Sequence, residues 1–215
     1  PLKQDPMFIR FSDQEDFNTY TPLSTNTAGT FRLDTGNTIV TAVSGKDYIL
    51  ILTDQAAYTM QFVGPPFTFS IRQVGTNCGC IGQHAATFVN GAIFWMGSQG
   101  GFFAFDGTVK SLPSLVEDFV FSTDGDNLGL NFNSSDVVFA GANNLYTEVN
   151  WFYPKSGSDQ IDRCVTYNYS ENCWTTSSLD RTTYQDQSVF DNPYATDYDD
   201  TLTPVFPDIL GITNK

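Results

Sequence analysis

The feature that most constrains this chain is a plan of short apolar runs with period-two alternation, cut every few residues by polar or glycine-containing turns. Such alternation indicates β-strands, because successive side chains of a strand point to opposite faces of its sheet. The plan restarts with an aromatic run in its middle, at intervals of about 45 to 55 residues. The first unit covers residues 38–74, the second residues 85–112 and the third residues 136–177.

Each unit is interpreted as four consecutive strands joined by short turns. Asn90-Gly91 and Asp106-Gly107 fall between strands of the second unit, and both residue pairs tolerate the positive φ of a type I′ hairpin turn. The sequence therefore predicts an all-β fold of repeated four-stranded antiparallel meanders, β-propeller-like, with three blades visible. A β-sandwich is the alternative, but it would be less apt to restart the same meander. Closed propellers have about four to eight blades, so further blades are expected outside this sequence or from other chains.

The expected organisation has three parts: an irregular N-terminal arm at residues 1–30, propeller-like blades at 31–180 and an extended acidic C-terminal arm at 181–215. Residues 113–121 carry apolar side chains at helical spacing and predict a short helix between the second and third units. The third unit is predicted to begin with a strand at 136–140 and to turn at 141–144.

Aromatic side chains on the predicted strands are interpreted as core. Alternation places Ile93 and Trp95 on one face of their strand and Phe94 and Met96 on the other, which predicts a strand covered on both sides. The remaining residues assigned to the core in this way are Phe102, Phe103, Phe105, Trp151, Phe152, Tyr153 and Trp174.

The charge of the chain is strongly acidic. Among 215 residues, Lys+Arg number 10 and Asp+Glu 24, a formal net charge of -14. Such a surface repels phosphate backbones, so specific nucleic-acid binding is not expected. No apolar run approaches the roughly 18 residues of a membrane helix, and the first residues lack a signal-peptide pattern. The chain is therefore expected to be made in the cytoplasm, without membrane insertion.

The cysteines are interpreted as buried free thiols. Cys78 and Cys80 form a Cys-Gly-Cys pair, whereas Cys164 and Cys173 are predicted on neighbouring strands. A zinc site would need a convergence of all four thiolates, or of three with His84, and this spacing does not favour it.

Residue types that carry catalysis are sparse. The chain has one histidine, His84, interpreted as a surface or packed residue, and the acidic residues Asp13, Glu15 and Asp16 are interpreted as a solvated loop face. Residues 97–101 are Gly-rich and fit a hairpin tip better than a phosphate loop. Residues 124–127, Asp-Gly-Asp-Asn, match half of a calcium loop and leave a weak cation site open. The chain is predicted not to be an enzyme, and no catalytic, cofactor-binding or metal-binding residues are assigned.

Several segments together resemble one family in the same order along the chain. They are residues 10–22, 27–36, 53–67, 90–97, 148–153 and 161–169. These segments resemble tail nozzle, or tail stabilisation, proteins of short-tailed bacteriophages, and the resemblance runs from about Phe8 to about Thr183.

The resemblance implies a structural protein of the virion tail, made of propeller domains and present in several copies, expected to be six. It implies contacts with an adaptor above and with a fibre or needle below, around a channel through which DNA passes without specific binding. A whole nozzle chain is usually much longer than this sequence. The alternatives are a sugar- or receptor-binding propeller module of a virion and a propeller glycosidase. The resemblance implies no catalytic residues.

Overall fold

The computed structural model describes residues 4–122, 129–187 and 193–198, together with the backbone of residues 202–204. A short helix, α1 (Glu117–Phe121), and a 3-10 helix (Phe132–Val137) lie between strands. The strands are β1 (Phe8–Phe11), β2 (Gly29–Arg32), β3 (Ile39–Ser44), β4 (Ile49–Thr53), β5 (Ala56–Gly64), β6 (Thr68–Thr76), β7 (Ala86–Val89), β8 (Ala92–Met96), β9 (Phe102–Phe105), β10 (Val109–Leu112), β11 (Phe139–Asn143), β12 (Glu148–Tyr153), β13 (Arg163–Asn168), β14 (Cys173–Ser177), β15 (Thr183–Gln185), β16 (Tyr194–Thr196) and β17 (Leu202–Pro204).

Three successive sheets repeat one topology. Strands β3 to β6, β7 to β10 and β11 to β14 each form a four-stranded antiparallel sheet in sequence order. We call these sheets blades 1, 2 and 3. The prediction of an all-β fold with repeated four-stranded antiparallel meanders is confirmed.

The first strands of consecutive blades lie side by side. Strand β7 contacts both β3 and β11, and the N–H of Ala140 on β11 donates to the carbonyl of His84, just before β7, at 2.8 Å. Gly141 on β11 faces the ring of Tyr184 on β15 so closely that a Cβ would lie 2.5 Å from it. A row of adjacent first strands with meanders extending outward is a β-propeller-like arrangement.

The main core lies between the blades rather than within one sheet. Ile93, Trp95 and Met96 on β8 are fully buried and Phe94 is 7% exposed, so both faces of this strand are covered as predicted. The largest fully buried side chains of the described residues come from different blades and are Trp95, Trp151, Tyr153, Phe102, Phe105 and Phe152. Burying such large apolar surfaces between sheets supplies the main driving force that holds the blades together.

Short sheets cover the outer faces of blades 1 and 3. Strands β1 and β2 pair antiparallel, and β15 to β17 form a three-stranded sheet. The expected irregular arm at 1–30 therefore contains one strand of this pair and the start of the other. The expected extended arm at 181–215 contains β15 to β17. Strands of only three or four residues, without a tight-turn signal between β1 and β2, are too short for a clear alternation.

The two predicted type I′ turns have different outcomes in the structure. Asn90 and Gly91 have φ of 48° and 84°, which confirms the type I′ turn. At the second site only Gly107 has a positive φ, 117°, and Phe105 pairs with Val109 across a three-residue loop. The Asp-Gly signal thus located the turn correctly but gave the wrong turn type.

The entry to blade 3 differs from the expected boundaries. Strand β11 begins at Phe139, and the 3-10 helix occupies the residues predicted to start the strand. Residues 141–143, predicted as a turn, belong to β11 and pair with β12. The short helix predicted at 113–121 is confirmed only in its second half, as α1. Among the described residues, no helix is both long and apolar enough to cross a bilayer.

Candidate docking surface

Successive turns of an antiparallel meander alternate between two edges of its sheet, so the β3–β4 and β5–β6 turns of blade 1 lie at the same edge. We call the edge that carries the β3–β4 and β5–β6 turns the hairpin-tip face. The strand β1 ends and β2 begins at this face, so the loop between them, residues 12–28, also lies there. A hydrogen bond of 3.3 Å from Thr68 Oγ1 to the carbonyl of Thr27 joins this loop to the β5–β6 hairpin.

Large apolar side chains are exposed on both of these segments. Phe62 and Phe67 at the β5–β6 tip are 66% and 77% exposed, and Phe17 and Leu23 of the loop are 77% and 60% exposed. With Tyr20 and Val63 they form what we call the apolar rim. Single exposed apolar residues are ordinary, but several on two joined segments are typical of a protein interaction surface.

The 12–28 loop is held in shape by carboxylates that accept hydrogen bonds. Asp13 Oδ1 accepts from the N–H of Gln14 at 2.9 Å, and from the N–H and hydroxyl of Thr27 at 2.8 and 2.6 Å. Asp16 accepts from the N–H of Asn18 at 3.0 Å and from the hydroxyl of Thr19 at 2.7 Å. The loop is therefore an ordered platform for the apolar rim.

These bonds also fix the charge of the loop. The hydroxyl and N–H of Thr27 hold the pKa of Asp13 below its ordinary value of 3.8, and the hydroxyl of Thr19 with the N–H of Asn18 does the same for Asp16. Both carboxyls are thus ionised at neutral pH. A general acid of a glycosidase needs the opposite shift, so neither Asp13 nor Asp16 is suited to that role.

A cleft opens between the loop and the hairpin. It has a volume of about 350 Å³ and is lined mainly by Phe11, Phe62, Phe69 and Pro65, with Asp13 and Gln14 at one side. The rings of Phe11 and Phe69 lie 4.9 Å apart edge to face, and those of Phe62 and Phe69 lie 5.8 Å apart. We call this the loop–hairpin cleft.

His84 and residues 97–101 occupy structural positions. The side chain of His84 is exposed, and its carbonyl accepts the bond from Ala140 that joins blades 2 and 3. Residues 97–101 join β8 to β9, which confirms the interpretation as a hairpin connection. The interpreted half calcium loop at 124–127 lies outside the described residues.

The predicted core aromatics are buried or partly buried, and the tryptophans also join blades. Trp95 on β8 donates its indole N–H to the carbonyl of Cys78, after blade 1, at 2.9 Å. Trp151 on β12 donates to the carbonyl of Ala85, before blade 2, at 3.1 Å. Phe103 and Trp174 are only partly buried and pack against the same core.

The cysteines are free, and three of them are buried as predicted. Cys78, Cys80 and Cys164 are nearly inaccessible, whereas Cys173 is exposed, so the interpretation was wrong for Cys173. Strand β14 is the outer strand of blade 3, which explains the exposure of Cys173. Among the residues that the structure describes, no three His, Cys, Asp or Glu side chains converge as metal ligands.

The pKa of one carboxyl, Glu148, is raised, in contrast to those of Asp13 and Asp16. Burial raises the pKa of Glu148 on β12, partly offset by a hydrogen bond from Asn143 Nδ2 at 3.2 Å. Asn143 Oδ1 beside it is buried and accepts no hydrogen bond. This carboxyl lies on β12 of blade 3 and does not line the loop–hairpin cleft.

Sequence reasoning did not identify the apolar rim. Its aromatic residues lie in the same kinds of run that build the core, and only the turn residues Gly64, Pro65 and Pro66 signalled that Phe62 and Phe67 flank a hairpin tip. The loop residues Phe17 and Leu23 had no comparable signal, since the β1–β2 pairing was not predicted.

The structure thus defines an all-β, propeller-like protein with an exposed apolar surface at one edge. No protein-family model matches the sequence, and no curated protein matches it. Among solved structures, the chain is similar to Hsv2 of Kluyvelomyces marxianus, with 10% sequence identity and a TM-score of 0.43 over 84% of this chain and 50% of the Hsv2 chain. The chain spans about half the length of Hsv2. A likeness at this level carries no argument about function.

Proposed function

We propose that this chain is a structural component of a short-tailed phage tail, of the nozzle type, which assembles in several copies, expected to be six, and contacts other tail proteins. The observation that carries the proposal is the apolar rim on an ordered loop and a rigid blade. A surface of this kind is suited to permanent contacts with other proteins. The segments between Phe8 and Thr183 resemble tail nozzle proteins in the same order along the chain, and this resemblance indicates the kind of assembly.

The chemistry of the acidic residues agrees with a role without catalysis. Asp13 and Asp16 are ionised acceptors that shape a loop, and Glu148, whose pKa is raised by burial, does not line the cleft. A propeller glycosidase would need two carboxyls that converge on a pocket, one of them with a raised pKa. The described carboxyls of the cleft region do not favour that arrangement.

The charge of the chain suits a wall past which DNA moves. A net charge of -14 offers few cationic contacts to phosphates, so there is little counterion release to favour binding. The first strands of the blades, with sequences IVTAVS, ATFV and FAGAN, carry no charged side chain. Within the described strands, the acidic side chain is Glu148 on β12, so the other acidic residues that the structure describes lie in loops, turns and the short helices. The proposal expects some of them to face the channel of the assembly.

The deciding experiment is a cryo-EM reconstruction of the phage particle that contains this chain. We expect a ring of propellers below the portal-proximal adaptor, with loops of the hairpin-tip face in contact with a neighbouring protein. A chain that is absent from the tail, or is an isolated monomer with a ligand in a central pocket, would contradict the proposal.

A sugar- or receptor-binding module is the second candidate, favoured by the exposed aromatic residues Phe17 and Tyr20. Trp95 and Trp151, the side chains best suited to stack on sugars, are fully buried, which weakens this candidate. Binding of the purified chain to a glycan array, lost in Tyr20→Ala, would favour it over the tail proposal.

A further inference from the structure

We propose that the loop–hairpin cleft binds a basic segment of a different protein, which packs an apolar side chain against the aromatic rings and places a Lys or Arg beside the acidic loop. The inference rests on the proposed function in that it names the chemistry of one partner at the same surface.

The interior of the cleft is suited to an apolar side chain. Phe11, Phe69 and Phe62 form a row of rings in edge-to-face contact, and Pro65 also lines the cleft. A volume of about 350 Å³ lies at the small end of the range for ligand pockets, so it accommodates one or two side chains rather than a folded element. Phe62 is 66% exposed, so it gains the most burial when the cleft is filled.

The cleft is formed before any partner arrives. The bonds that Asp13 accepts from Gln14 and Thr27 fix the loop side, and the Thr68–Thr27 bond joins that side to the hairpin. A preformed site loses little conformational entropy on binding, which favours a short segment as occupant.

The charge around the cleft selects a cationic segment. Residues 12–28 contain Asp13, Glu15 and Asp16 but no Lys or Arg, and residues 62–69 of the hairpin carry no charge. The lowered pKa values of Asp13 and Asp16 keep both carboxylates ionised. A basic side chain next to the inserted apolar group would therefore be attracted, and an acidic one repelled.

The same charge disfavours a second copy of this chain as occupant. Docking two copies would bring together two molecules of net charge -14, each with only 10 basic residues. At an acidic cleft this repulsion disfavours a second copy as the occupant, whereas the copies of the proposed assembly would meet through other surfaces. A different, basic chain relieves that repulsion.

Fluorescence anisotropy with defined peptides tests this inference on the full chain. The probe is a fluorescein-labelled peptide with a Leu-Phe pair flanked on each side by Lys-Lys. One control peptide replaces the lysines with glutamates, and the other replaces Leu-Phe with Ser-Ser at the same charge. We expect saturable binding of the probe with a Kd near 10⁻⁴ M, on the order of a weak peptide contact, and at least about tenfold weaker binding of both controls.

Matched variants locate the binding. Phe62→Ser removes an exposed ring and is expected to weaken probe binding about tenfold, while Glu15→Gln weakens it about threefold, less so at high salt. Leu115→Ser is the control, because Leu115 is fully exposed on the connection between β10 and β11, outside the cleft, and its change should leave binding unaltered. Circular dichroism checks that each variant is folded.

Several results would overturn the inference. They are no saturable binding of the probe up to about 1 mM, equal binding of the glutamate peptide, or equal losses in Leu115→Ser and Phe62→Ser. Self-association that Phe62→Ser abolishes, without peptide binding, would assign the cleft to a second copy instead. The assay contains no virion component, so a negative result rejects this inference alone, whereas absence of the chain from the tail rejects the proposed function alone.

Discussion

The Cys-Gly-Cys sequence at the junction between blades 1 and 2 serves packing. Gly79, between Cys78 and Cys80, lies so close to the β4–β5 turn that a Cβ would be 2.0 Å from the carbonyl oxygen of Asp54. The N–H groups of Cys78 and Cys80 donate to the carbonyls of Gln55 and Thr53. The Cys-Gly-Cys sequence is therefore a backbone junction with two thiols packed in the core.

Gly79→Ala is expected to destabilise the protein by about 2 to 4 kcal/mol, because a methyl group would collide with backbone that cannot move without separating the blades. Ser98→Ala is the matched control. Ser98 Oγ donates to the same Asp54 carbonyl at 2.7 Å, and its loss should cost only about 1 kcal/mol. Urea unfolding followed by circular dichroism gives both values, and an equal effect of the two changes would contradict the close-contact argument.

At the scale of elements, the short terminal sheets complete the burial of blades 1 and 3. Met7 precedes β1 and is only 2% exposed, where it packs with Leu33 against Ile51, Tyr58 and Met60 of blade 1. On the other side, Tyr184 of β15 packs on Phe152 of blade 3 at a ring separation of 5.8 Å. Without these covers, one apolar face of each blade would be exposed to water.

Met7→Ala is expected to lower the free energy of unfolding by about 2 kcal/mol, since it removes apolar contacts and leaves a cavity under β1. Phe17→Ala, at a residue that is 77% exposed in the next loop, should change it by less than about 0.5 kcal/mol. Thermal and urea unfolding of the two variants measure the difference. A negligible effect of Met7→Ala would mean that the β1–β2 pair does not unfold cooperatively with blade 1.

At the scale of the whole molecule, the stacked sheets exclude water from several groups that ionise at high pH. Burial raises the pKa of the Cys80 and Cys164 thiols from 9.0 to about 12, and that of the Tyr153 hydroxyl from 10.0 to about 12. These groups stay protonated in the folded protein while they ionise in the unfolded chain. Their contribution to stability is therefore complete below about pH 9 and is lost as the pH rises towards about 12.

We expect the free energy of unfolding to fall between pH 8 and pH 10 by about 1 kcal/mol for each of Cys80 and Cys164, measured in urea with a reductant present. Cys164→Ala should reduce this pH dependence by about one thiol's share. Cys173→Ala is the control, because Cys173 is exposed and its surroundings change least on unfolding. A pH dependence unaltered by Cys164→Ala would contradict the assignment.

The sequence by itself determined the strands of the three blades and the burial of Trp95, Trp151 and the residues around them. Alternation and turn chemistry are local, and each meander pairs strands that are neighbours in the chain. Local patterns did not predict the pairing of β1 with β2, because the 12–28 loop separates these strands. They also placed the start of β11 too early, at residues that form a 3-10 helix.

Only the tertiary structure decided which apolar residues remain exposed and where the cleft lies. Phe17 and Phe62 belong to the same residue types as the core, and the segments that carry them are joined by a hydrogen bond between Thr27 and Thr68, 41 residues apart. Alternation cannot foresee such a contact, because it states which side chains share a face of one strand but not which segments cover that face. The blades follow from the sequence, and the apolar rim follows from how the loop and the hairpin meet.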